Sequence, residues 1–163
     1  MNRSCVAVAV VAIVMSSSFA FAQPTAAPAM PAPKDKAVDF PLAALEAVAK
    51  DITAKGLITQ RVLEGGTYSV NVRHIAGSET ALQHGKITEV WVVRDGSGVV
   101  ATGGTLVDHK PGAAAGEFTG SGIRGGVERT IKAGDLVFIP PGVPHGIKQS
   151  KGITYLNIRF ETQ

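Results

Sequence analysis

Beyond Leu57 the chain is written in short runs of β-branched and aromatic residues cut off by Gly, Pro or Asp, and no second helical pattern interrupts them. Runs of this kind are half-buried strands, because branched and aromatic side chains pack well on a pleated surface and the breakers supply the turns. The pattern predicts strands at Tyr68 to Ile75, Glu89 to Arg94, Gly98 to Ala101, Val127 to Ile131, Leu136 to Ile139 and Ile153 to Phe160. Asp95-Gly96 reads as a hairpin turn, since Gly takes the positive φ of a tight primed turn, and Gly134-Asp135 reads as a second turn. Many short strands with regular turns make an antiparallel sandwich or barrel, an all-β fold.

What precedes the strands is different in kind. Arg3, the apolar run Val6 to Met15 and the small-x-small site Ala20-Phe21-Ala22 together describe a secretory signal peptide over residues 1–22, too short in its apolar part for a comfortable membrane span. The expected location is therefore periplasmic or secreted, with no membrane attachment after cleavage. Cys5 is the single cysteine and lies in the leader, so the mature chain has no disulfide and stands on its packed core. Residues 23–37 form an Ala/Pro tract that buries too little surface to fold alone and is expected to be a disordered linker. In the 38–57 segment, Pro41 followed by Leu42, Leu45, Val48 and Ala49 at helical spacing, with Gly56 as a stop, predicts one amphipathic helix. The strand-rich remainder, 58–163, is one ordinary domain. A net charge of +3, part of it from Arg3, with no block of like charges, gives no reason to expect nucleic acid as a partner.

Two segments of the strand-rich part carry the chemistry. From Leu82 the chain reads Leu82-Gln83-His84-Gly85-Lys86-Ile87-Thr88-Glu89 and continues to Gly96, and a second segment holds Gly134, Pro140, Gly142, His145 and Gln149. These resemble the paired metal-site motifs of the cupin family. In that family the first motif is His-x-His, a short spacer, Glu and a later Gly; the second is Gly, Pro-x-Gly, His and Asn. Every spacing is kept here, with Leu82 in place of the first His and Gln149 in place of the Asn. The resemblance implies a cupin jelly-roll, a double-stranded β-helix barrel with one N-terminal α-helix, and a metal held by His84, Glu89 and His145. Imidazole and carboxylate suit Fe, Mn, Ni, Cu or Zn, and two His with one carboxylate leave coordination positions open for water, substrate or oxygen.

Residues two apart on a strand share a face, so Leu82 presents an apolar group beside His84, and the site is either a three-ligand centre or a pocket that has abandoned metal. His74, with the parity of Val70 and Val72, is a candidate substitute ligand if that parity faces the interior; otherwise it is a strand-end His bonded locally. Glu89, between apolar neighbours, is expected to be buried and to need a metal or a cation. Trp91, Phe138, Tyr155 and Phe160 read as core rather than pocket lining. Tyr155, Asn157 and Arg159 form one polar face of the last strand, read as solvated; were it to face the cavity, Arg159 could hold an anion. Arg124 reads as a solvated loop residue. Gly120 to Gly125 spells a dinucleotide-binding pattern but lies before another strand rather than a helix, so it is set aside as a loop. The expected function is that of an exported metal-dependent enzyme, an oxygenase or isomerase of a small organic molecule, with a non-catalytic small-ligand-binding barrel as the alternative and a homodimer admitted by either. No catalytic base or acid is legible.

Overall fold

The computed structural model describes residues 24–162; the expected leader and its cleavage position lie outside them. In chain order the elements are β1 (Met30–Pro31), α1 (Leu42–Ala54), β2 (Thr59–Glu64), β3 (Tyr68–Ile75), β4 (Ala81–His84), β5 (Ile87–Thr102), β6 (Thr105–Val107), β7 (Lys110–Pro111), β8 (Glu117–Gly120), β9 (Gly122–Arg124), β10 (Val127–Lys132), β11 (Leu136–Ile139) and β12 (His145–Glu161).

The two long strands organise the rest. β5 and β12 run antiparallel to each other, but each changes its outer neighbour midway: β11 lies along Glu89–Val92 of β5 and β10 along Ser97–Thr102, while β3 lies along the second half of β12 and β4 meets it at His145. Asp95-Gly96 is thus not the hairpin that the sequence predicts. β5 passes straight through it, and the ladder with β12 shifts register opposite, between Ser150 and Ile153. Gly96 keeps the positive φ expected of it (71°), and a Cβ there would run into the carbonyl oxygen of Gly152. A Gly at positive φ serves a bulged bend as well as a primed turn, and the continuous partner strand decided between them. The turn at Gly134 is present, joining β10 to β11. Gly122 to Arg124, expected as loop, pairs with β6.

Helix α1 starts after Pro41 and ends before Gly56, which takes the left-handed φ of 66°. It buries Ile52 completely and packs mainly on β3. Between α1 and the outer face of β3 and β12 lies a cleft of about 710 Å³, floored by Val72 and Leu156 and rimmed by His74 and Arg94. Part of the Ala/Pro tract is taken up on the sheet edge. Met30 and Pro31 pair in parallel with Leu63 and Glu64, and Gln60 exchanges two hydrogen bonds with the backbone of Ala27 (2.8 and 2.6 Å). Backbone pairing needs no large apolar side chain, so a segment with too little surface to bury alone can still be taken up on a sheet edge.

The apolar core is Ile75, Trp91, Val93, Val100, Ile131, Val137, Ile139, Ile147, Ile153 and Tyr155, centred on the stacked rings of Trp91 and Tyr155 (centroids 4.6 Å apart).

Candidate metal centre

Residues paired across a ladder share a face, so register decides which side chains meet inside the barrel. One interior row runs Ser69, Arg159, Glu89, Ile139; the next runs Asn71, Asn157, Trp91, Val137; a third begins Arg73, Tyr155, Val93. His84, at the end of β4, pairs with Glu117 of β8, and His145, at the start of β12, pairs with Leu82. Besides the β5–β11 ladder, a hydrogen bond ties the two motif segments together at their histidine ends: Gly142 N–H, in the Pro140-Pro141-Gly142 turn, donates to the His84 carbonyl at 2.7 Å. Gly142 sits at φ 76°, a conformation its neighbours in that turn would resist.

The result is a buried cluster of His84, Glu89 and His145 whose ligand atoms lie within 4.8 Å of one another. The residues are 5%, 1% and 1% exposed. His145 Nδ1 lies 2.9 Å from the Val143 carbonyl, an acceptor, so that nitrogen carries the proton and Nε2 carries the lone pair. That Nε2 is buried, has no hydrogen-bond partner, and points toward Glu89 Oε2 at 3.5 Å. His84 stands between two carboxylates, Nε2 at 3.2 Å from Glu89 and Nδ1 at 3.2 Å from Glu117. A Glu117 carboxylate that keeps the Nδ1 proton leaves Nε2 free to ligate, which is how outer carboxylates orient metal-binding imidazoles. The buried, orphaned imidazole nitrogen and a two-nitrogen, one-carboxylate donor set fit a divalent transition metal, and the cluster could hold one.

Glu89 is held in place by more than the histidines. Trp91 Nε1–H and Asn157 Nδ2–H donate to its Oε2 at 2.7 and 3.1 Å, and Arg159 Nε stands 3.0 Å from Oε1. Burial alone would raise the carboxyl pKa; in the metal-free cluster, protonated imidazoles donating to it and the His145 charge, together with the Trp91 donor, outweigh burial and hold the group well below the usual carboxylate range. Glu89 is therefore a fixed anion.

A second buried polar group supports this one. Arg73 Nη2 donates to Glu79 Oε2 at 2.6 Å and Arg73 Nε to Thr59 Oγ1 at 3.0 Å, while its guanidinium lies 5.7 Å from the centre of the Tyr155 ring. Glu79 then clips β12 just past His145: its Oε1 accepts from Ile147 N–H, and its own N–H donates to the Ile147 carbonyl, both at 2.9 Å. Burial works against the charge on Arg73, yet Tyr155, Glu79 and Glu89 hold its pKa above the ordinary value.

Two expectations change, and the open alternative for His74 closes. His74 does not join the cluster: it sits on the outer row opposite Thr154, with Nδ1 2.9 Å from Thr154 Oγ1, and lines the cleft beneath α1. The parity it shares with Val70 and Val72 is real, but that face is the one the helix covers. Conversely, the polar face of β12 turns inward: Tyr155 and Asn157 are buried, and Arg159, partly exposed, stands against Glu89 and Glu117. Phe138, expected in the core, is 59% exposed on the outer row, whereas Trp91 and Tyr155 are fully buried. Leu82 shares the interior face with His145 but adds no donor. Glu117, in a Gly- and Ala-rich stretch, carried no signal in the sequence and enters only through the pairing of β8 with β4.

Residues 123–163 match the AraC-like ligand binding domain family. No curated protein matches the chain significantly. Among solved structures, a Bacillus halodurans protein superposes over 80% of this chain and 84% of its own at 14% identity (TM-score 0.51). A double-stranded β-helix protein from Klebsiella pneumoniae covers 63% of this chain and 75% of its own at 18% identity (TM-score 0.45). A cupin protein from Bacteroides fragilis covers 63% and 76% at 20% identity (TM-score 0.42). The chain has the cupin fold. Its double-stranded β-helix is built on β5 and β12, with the His-Glu-His cluster inside the barrel.

Proposed function

We propose that this cupin is an exported metal-dependent enzyme of the oxygenase or isomerase type, acting on a small organic molecule. The observation that carries the reading is the convergence of His84 Nε2, His145 Nε2 and the Glu89 carboxylate, with the His145 nitrogen lacking any other partner. A divalent metal bound there supplies a Lewis acid or oxygen-activating centre. The chain's own residues do the rest: Glu117 and the Val143 carbonyl orient the imidazoles, Trp91 and Asn157 fix Glu89, and the apolar core around Trp91 keeps bulk water from that side. The test is metal analysis of protein purified without chelator or a nickel column. About one equivalent of Fe, Mn, Ni, Cu or Zn per chain is expected, and a metal-free preparation refutes the reading.

A specific contact favours a second reading, a non-catalytic small-ligand-binding barrel. Arg159 already stands against Glu89, so the anion has a cationic partner without a metal, and the resemblance to AraC-like ligand binding domains spans both His145 and Arg159. Export rests on the leader pattern ending at Ala20-Phe21-Ala22. Mass spectrometry of the exported protein should find a chain starting at Gln23; an intact Met1 on envelope material would argue for an anchor instead.

A further inference from the structure

Arg159 and Glu117 are the members of this cluster that reach water, with side chains 21% and 28% exposed, and they are bonded to each other at 3.0 Å. Behind them Glu89 and the two imidazoles are sealed. The cluster's charge therefore depends on what the imidazoles hold. With neutral imidazoles, as ligation requires, two carboxylates against one guanidinium leave a single negative charge. A dication held by His84, Glu89 and His145 turns this into a single positive charge in a largely buried place. Uncompensated buried charge is costly, and a monoanion cancels it.

The geometry shows where that anion would go. Arg159 Nη2 donates to Glu117 Oε1, while its buried Nε lies 3.0 Å from Glu89 Oε1 without making a directed hydrogen bond, so both protein carboxylates stand against the guanidinium. Glu89 oxygens committed to a metal are poorer acceptors for the guanidinium beside them, and Glu117 has a second partner in His84 Nδ1 at 3.2 Å. The Arg159 side chain is 21% exposed, and its planar guanidinium matches a carboxylate in a way that a point charge does not.

We propose that Arg159 is the binding residue for a small monoanionic carboxylate at this centre, with Glu117 as the built-in occupant that the ligand displaces from the guanidinium. This rests on the metal reading above and adds the class of molecule that the site accepts. Glu117 stays with His84 and cedes Arg159, so the two residues have opposite effects on ligand affinity: Arg159 attracts the carboxylate, and Glu117 competes with it.

The experiment begins with metal content, then titrates the loaded full-length protein with acetate by calorimetry, using acetamide as the uncharged isostere. Acetate should bind about tenfold or more tightly than acetamide, and tighter to loaded than to metal-free protein. Arg159→Gln, which removes no ligand atom, should keep its metal and weaken acetate about tenfold or more, with Arg159→Lys partly restoring it. Glu117→Gln, whose amide oxygen can still accept from His84, should bind metal less tightly and, once loaded at saturating metal, should bind acetate more tightly than wild type. Equal acetate affinity in the wild type and Arg159→Gln at equal metal content overturns the inference while leaving the metal reading intact. Weaker acetate binding in Glu117→Gln overturns the displacement. A wild type without metal is recognised before any titration, and both readings then fall together. Should Arg159→Gln not fold, Arg159→Lys and Glu117→Gln carry the test by their opposite signs.

Discussion

Glu79→Ala should be among the most destabilising single changes in the barrel, although Glu79 touches none of the candidate ligands. The Arg73 and Glu79 side chains are 7% and 4% exposed, and their contact is 2.6 Å. Removing one partner of a buried pair strands the other charge, at a cost of about 3–5 kcal/mol. The Ile147 N–H also loses its acceptor, about 1 kcal/mol more. Against a total stability of about 5–15 kcal/mol for a domain, this lowers the melting temperature by roughly 10 °C or more. The assay is urea unfolding of wild type, Glu79→Ala, Arg73→Met and the pair Arg73→Met/Glu79→Leu. The double variant removes both charges and should recover most of the loss, keeping a deficit of about 1 kcal/mol from Ile147. Lys148→Ala is the control, because its bond to Glu128 is exposed and worth about 1 kcal/mol at most. A Glu79→Ala cost below about 1 kcal/mol, or a double variant as damaged as the two singles added, refutes the reasoning. Where Glu79→Ala still folds, it should also hold metal less tightly, since Glu79 fixes the strand start that carries His145.

His84→Ala and His145→Ala should each strip most of the bound metal, whereas His74→Ala and His109→Ala should not; the latter two lie beneath α1 and against Phe118. Equal metal content by elemental analysis across all four variants would sink the centre. Leu82→His places an imidazole on the interior face beside His145 and should tighten metal binding by about an order of magnitude, read by competition with a chromogenic chelator. Unchanged affinity in a folded variant would show that Leu82 is out of reach. The Glu89 carboxyl is held below its ordinary value of 4.5, so its stabilising effect is complete above that pH and drains away as pH falls below it. Urea midpoints of wild type should decline in that acid range, and Glu89→Gln should flatten the decline; parallel curves would refute the coupling.

Local signals determined a good part of this protein. Breakers and β-branched runs marked the strands at β3, β10 and β11 with bounds close to those observed, and Pro41 and Gly56 bracketed the helix. The spacing of His84, Glu89 and His145 identified three residues that the fold brings within 4.8 Å of one another. What the tertiary structure alone decided is which way each strand faces and what stands across from it. Alternation divides a strand into two faces without saying which one a helix covers, so the valine-bearing face of β3 took His74 outward, and the polar face of β12 turned inward. Gly96 could not announce whether the chain turns back or bends onward, because its φ is the same in either case and only the unbroken ladder with β12 distinguishes them. Glu117, Arg73 and Glu79 had no motif to mark them. They matter through ladder pairings and through contacts with residues as far along the chain as Ile147 and Arg159, and pairing across such separations is a property of the whole packed sheet rather than of any stretch of sequence.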